Sequence, residues 1–305
     1  MNTIAVAEVE RGDILLVTRR PHDAFADLIL ALDGAPATFT HSGVALGDGT
    51  ILSSYPFFDG ISFPVDLGGL HVDPFAHFWG YNQSIHRLAV DPGERERAAA
   101  RLDRYSTGPG SFSVPKVVVV AATLHALSPS NALPEHAKAR IVRRALQVGE
   151  AWDSDGDFYC AEFVTHLYDW RFTLDDLRPP AWIYPVDVPF LARLGVDVVA
   201  PVLSAFRTEM QKTTMYAFVD EVRRYDPGFF GPRPFATLRG ILDEVGDWLG
   251  FETGPRGSLG PVDDSSLDGS TELPSGLVTP RMLQQRCGED AVAGVEVPPI
   301  GEDAA

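Results

Sequence analysis

Cysteine is nearly absent from this chain. Only Cys160 and Cys287 occur in 305 residues, so a disulfide framework is not the source of its stability. Basic residues are scarce as well: 25 Lys and Arg stand against 42 Asp and Glu, a formal net charge of -17. Such a surface repels phosphate backbones and anionic membranes, which excludes nucleic acid as an expected partner. Long apolar runs are missing too. The nearest, over 186–206, is interrupted by Asp187, Arg193 and Asp197, so no transmembrane segment is expected. The first residues, MNTIAVAEVERGD, lack a basic segment followed by an apolar one. No secretory signal is read there, and a cytoplasmic location is the expectation, with signal-independent export left open. What is abundant is apolar: 45% of residues are hydrophobic, enough for most of the chain to fold around a core.

Gly12-Asp13 ahead of Ile14-Leu15-Leu16-Val17 reads as a turn and a buried strand. Residues 39–46 and 51–55 flank Gly47-Asp48-Gly49-Thr50, a β-hairpin signal. Residues 57–80, rich in Pro, Gly and aromatics, read as a structured loop, and 84–90 as another strand. Residues 92–105 read as a surface helix. Four consecutive valines predict a buried strand over 116–121. An amphipathic helix is predicted over 135–152.

Cys160, Phe163, Val164 and Leu167 fall at i, i+3, i+4 and i+7. This spacing puts the cysteine at the start of a buried helical stripe, with Asp157 as its expected N-cap. A helix N-terminus favours a thiolate, and its free amides can stabilise an oxyanion. A thiol is a strong nucleophile only as thiolate, and an imidazole is the usual group that makes it one. His41, in FTHSGVALGDG, is the candidate imidazole. Glu162 reads as a solvated or helix-start carboxylate. His71, Asp73 and His77 in HVDPFAH read as an ordinary loop rather than a metal site. Asp153, Asp155 and Asp157 do not fit a calcium loop, because the twelfth position is Val164 rather than glutamate.

After Pro179-Pro180 the character changes. Helical patterns at 199–206, 216–225 and 235–249 are followed by a linker composition over 254–275, a structured segment around Thr279-Pro280, and a tail from 299.

RGDILLV, THSGVALGDG, FYCAEFV and LVTPRML, in this order, resemble the circularly permuted NlpC-type papain-like cysteine hydrolases, in the YiiX-like branch. Lecithin retinol acyltransferase is a distant relative of that fold. Gly12-Asp13, His41, Tyr159-Cys160-Ala161-Glu162 and Thr279-Pro280 occupy the family's positions. The resemblance implies an α+β fold: a small, mostly antiparallel sheet with packed helices in permuted papain-like topology. It also implies a core over 1–182 with a returning segment at 276–298, and a helical insertion over 183–253. It implies acyl transfer to Cys160 with His41 as base, on a small-molecule, peptide or lipid-like acyl substrate, with no cofactor. The family's polar orienter, twelve residues after the histidine, falls on Ser53. A two-residue turn would instead turn Ser54 to the face of His41. Serine holds an imidazole tautomer but stabilises imidazolium less than a carboxylate does. Asp59 is a further candidate acid. Tyr159 and Tyr55 are expected to line the site, Tyr159 with its hydroxyl toward the oxyanion. A binding module without catalysis, a lipid acyltransferase and an effector protein remain the competing readings.

Overall fold

A computed structural model describes residues 2–18, 39–55, 69–79, 84–106, 114–129, 131–152, 158–178, 209–226, 267–288 and 292–296. The protein is α+β, with a seven-stranded mixed sheet and eight α-helices among the described residues. It divides into two compact units. The first takes Met1–Phe112, Gly156–Arg171 and Val278–Ala305. The second takes Ser113–Asp155 and Phe172–Leu277.

The first unit holds the whole sheet: β1 (Asn2–Ala5), β2 (Ile14–Thr18), β3 (Phe39–Ala45), β4 (Thr50–Tyr55), β5 (Gly69–Pro74), β6 (Ile85–Arg87) and β7 (Ala293–Glu296). Their order is β1-β7-β6-β2-β3-β4-β5. All neighbours pair antiparallel except β1 with β7. β2 is central, and its apolar run is buried on both faces: Ile14, Leu15 and Leu16 are inaccessible and Val17 nearly so. Each such side chain contributes roughly 1.5–3 kcal/mol by leaving water. The β3–β4 hairpin closes through Gly47 and Gly49, at φ +83° and +84°, a backbone that side-chain-bearing residues rarely adopt. The register pairs Gly43 with Ser53 and Ala45 with Ile51.

One sheet face carries Leu15, Val17, Ala45, Ile51 and Ile85, packed with Phe75 and Phe78. Those two phenylalanines belong to a short helix, α1 (Phe75–Trp79). The stretch 69–79, expected as loop, is therefore a strand and a helix. Gly69, Leu70 and Val72 pair with Tyr55, Ser54 and Leu52 and extend the sheet by one strand, a long-range pairing with no local signal. Also in this unit are α2 (Pro92–Tyr105), capped by Asp91, which accepts from the Gly93 and Glu94 amides, and the cysteine helix described below.

The second unit begins with α3 (Val114–Leu127) and α4 (Glu135–Trp152). Here the expectation of a strand over 116–121 fails. The valine run lies in the middle of α3, where Val119, Ala122, Leu124 and Ala126 are nearly inaccessible. Burial of the helix overrides the modest β preference of valine. α4 and α3 thus fall in the second unit and not in the one that holds the sheet.

Cys160 opens α5 (Cys160–Tyr168) in the first unit. Its expected stripe is present, with Phe163, Val164 and Leu167 inaccessible. The N-cap position is Tyr159, not Asp157, which lies outside the described residues. Glu162 is fully buried rather than solvated and accepts the Tyr159 amide at 3.4 Å. In the second unit, α6 (Leu174–Leu177) and α7 (Glu209–Tyr225) follow. The indole of Trp152 donates to Thr214 at 2.8 Å, tying α4 to α7. Part of the stretch read as linker is ordered: Thr173 bridges Glu272, and Leu273 is buried. The expected helices at 199–206 and 235–249 and the tail from 299 lie outside the described residues. Back in the first unit, Thr279 caps α8 (Pro280–Arg286) by accepting the Met282 amide, and β7 then enters the sheet. No described helix is long and apolar enough to cross a membrane.

Candidate active site

The site is built where β3 and β4 part. Ala45 donates to Asp13 O and accepts from Gly12 N, both at 2.9 Å. Alternation along β3 therefore turns the backbone groups of the odd-numbered residues to β2 and those of the even-numbered ones to β4. The β3–β4 ladder ends at Gly43 and Ser53. The next amide aimed at β4 is that of Ser42, and it lies close enough to Cys160 to favour its thiolate. The thiol thus lies beside β3 at Ser42, on the side of the sheet to which Ser42 and Ser54 turn their side chains.

Cys160 is 5% exposed. Burial is the dominant influence on its thiol and raises its pKa above the ordinary value. The Ser42 amide, the Ser42 hydroxyl, and the amides of Ala161 and Cys160 oppose this, in that order. Burial prevails, so the resting group at neutral pH is the thiol. Ser42 Oγ is near enough to act on the sulfur yet has no hydrogen bond of sound geometry. The amides of Ala161 and Cys160, at the start of α5, lie near the sulfur, and free amides at a helix start can hold an oxyanion formed when a thiolate attacks an acyl carbon.

His41 precedes Ser42, and alternation turns its ring to the face lined by α1. It stacks on Phe78 at 5.7 Å between centroids and meets the Tyr55 ring edge-on at 6.0 Å. The three-residue hairpin loop follows from Leu46 N donating to Thr50 O, and its odd length puts Ser53 on the face of His41. Ser53 Oγ is buried with no hydrogen-bond partner among the described residues. Ser54 points the other way and donates to Phe158 O at 2.6 Å. It ties β4 to the segment entering α5 and is not an orienter of the imidazole.

The Tyr159 hydroxyl differs from expectation. The Tyr159 hydroxyl donates to Val278 O, so it fastens the helix start to the returning segment rather than facing an oxyanion. Tyr55 lies over His71, 4.7 Å between centroids, and donates to Asp73 Oδ2 at 2.8 Å. Asp73 is 4.0 Å from His77 Nδ1. Asp59 lies outside the described residues. In the sequence Ser42 and Phe78 do not stand out, and Asp73 reads only as part of a loop. Ser42 carried the one usable signal, its adjacency to His41 on an alternating strand. The other two come to the site only through the β5 pairing.

Compared with known proteins, the chain matches no family model, no curated protein and no solved structure. The fold class rests on the geometry alone, and the candidate site is a buried thiol at a helix start with an imidazole on the strand beside it, turned to the opposite face.

Proposed function

We propose that the first unit is a thiol hydrolase of permuted papain-like architecture, acting on an amide or ester bond through a covalent acyl-enzyme. The observation that carries this reading is the placement of Cys160 as the first residue of α5, beside Ser42, the residue that follows His41 on β3. In the proposed cycle His41 takes the thiol proton as sulfur attacks the acyl carbon. The S–C bond forms, the bond to the leaving group breaks, and His41 returns the proton to that group. Water, deprotonated by His41, then releases the acyl group and restores the thiol. The amides of Cys160 and Ala161 hold the oxyanion.

Amidase, peptidase and thioesterase-like chemistry all fit this cycle, as does acyl transfer to another acceptor. The test is the pH dependence of Cys160 alkylation by iodoacetamide in a Cys287→Ser background, with and without His41→Ala, followed by a panel of ester, thioester and peptide substrates. The reading requires slower alkylation in the His41 variant and no turnover in Cys160→Ala.

One observation favours a second reading, a binding module without catalysis: burial raises the thiol pKa instead of lowering it. Alkylation indifferent to His41, with saturable binding of an acyl compound, supports that reading over the first.

A further inference from the structure

The proposed chemistry asks more of His41 than Ser53 can supply. A general base must be held at one angle and in one tautomer, and the imidazolium it becomes must be stabilised. Ser53 offers an uncharged hydroxyl, and that hydroxyl has no partner among the described residues. The placement of the ring comes from elsewhere. Phe78 stacks on one side of His41, and the edge of Tyr55 closes another. Phe78 is held by the apolar cluster with Leu15, Val17 and Ile51. Tyr55 is held by a polar tie: its ring lies along β5 over His71, and its hydroxyl reaches Asp73. In the register Tyr55 pairs with Gly69, four residues before Asp73. The tyrosine therefore lies nearly along the strand, and the hydrogen bond to Asp73 fixes that orientation.

We propose that Tyr55, tied down by Asp73, is the positioning residue for the His41 imidazole, so that the pair fixes the ring angle that a polar group at Ser53 would otherwise fix. This inference rests on the hydrolase reading. It gives Tyr55 a role different from lining a substrate, and it gives Asp73 a role although it does not touch the reacting atoms. The titratable groups facing this assembly include His71, Asp73 and His77, with Tyr55 itself.

The test uses the full chain with Cys287→Ser as background, and the variants Tyr55→Phe, Asp73→Asn and their combination. Both substitutions keep shape, and each removes the same hydrogen bond. Two readouts are taken: the titration of His41 followed through its ring ¹⁵N resonances, and the pH–rate profile of Cys160 alkylation. Each single variant is expected to move the His41 titration and to slow alkylation near neutral pH roughly tenfold, a part of the 10²–10⁴ that a general base contributes. The double variant is expected to be no worse than the more affected single one, because the two residues act through one bond. An unmoved His41 titration in both single variants overturns the inference, as do effects that simply multiply in the double variant. The His41→Ala control separates the two levels. Slower alkylation in that control with unaffected Tyr55 and Asp73 variants removes the inference and leaves the hydrolase reading. Unchanged alkylation in His41→Ala removes both.

Discussion

The two ends of the β2–β3 strand pair treat polar groups in opposite ways. At the end where Gly12-Asp13 turns into β2, the buried polar groups are matched. The Asp13 carboxylate lies 3.0 Å from Arg95 and 3.4 Å from Arg87, and it accepts the Glu10 amide at 2.8 Å. The Tyr168 hydroxyl donates to Gly12 O. At the other end the β3–β4 ladder stops at Gly43 and Ser53, the Cys160 thiol lies beside Ser42, and the hydroxyls of Ser42 and Ser53 are buried without a sound hydrogen bond among the described residues. Buried polar groups left unmatched in a native fold call for an explanation, and a functional site is one of them. The same sheet is thus locked at one end and left chemically open at the other.

The largest effect is expected at the locked end. Asp13→Ala leaves two guanidinium groups facing a vacated site, each about a quarter exposed. The loss is expected at about 3 kcal/mol, the lower part of the range for a broken buried pair. Urea unfolding measures it, while the alkylation rate of Cys160 in the folded protein stays near that of the parent. A large change in that rate would mean the two ends are not separable.

Gly43 forms the last rung before the opening. A Cβ there would lie 2.6 Å from Ile51 Cγ2 and 2.9 Å from Ser53 Cβ, so Gly43→Ala must push β4 away from β3. A loss of about 2 kcal/mol follows from overpacking. A faster reaction of Cys160 with iodoacetamide is expected with it, as the opening widens. An unchanged rate would place the thiol's protection elsewhere.

The third effect is in the pH dependence of stability. The Cys160 pKa is raised in the folded state, so the folded chain holds this proton more tightly than the unfolded one. The resulting stabilisation is complete below the unfolded thiol value of about 8.5. It declines as pH rises above that value, at no more than about 1.4 kcal/mol per pH unit. Cys287, pushed up to about 12 chiefly by burial, adds a parallel decline. In a Cys287→Ser background, Cys160→Ala should therefore flatten the fall in unfolding free energy between pH 8.5 and 10. An equal slope with and without Cys160 would contradict the buried neutral thiol.

The smallest effect on stability belongs to Ser42→Ala. It removes a hydroxyl that makes no sound hydrogen bond, so the change is expected to stay below about 1 kcal/mol. Alkylation should nevertheless slow, because that hydroxyl favours the thiolate. A large stability loss would show the open end to be as matched as the locked one.

Much of this could be read locally. The run Ile14-Leu15-Leu16-Val17, the glycine-rich hairpin, the apolar stripe of α5 and the amphipathic period of α4 are short-range signals, and each gave an element near its expected place. The valine run of α3 misled because a buried helix and a buried strand share a composition. The pairing of β4 with β5 had no local signature, and with it went Asp73 and the environment of Tyr55.

The sequence by itself determined that the fold is α+β, that Cys160 starts a buried helix, and that His41 lies on a strand whose hairpin bends at Gly47 and Gly49. These follow from periodicity and backbone sterics, which act over a few residues. Only the tertiary structure decided that Ser53 and not Ser54 shares the face of His41, that the Tyr55 and Tyr159 hydroxyls are engaged elsewhere, and that burial keeps Cys160 protonated. Register, hydrogen-bond partners and desolvation depend on which distant segments come to lie side by side, and no local pattern encodes that.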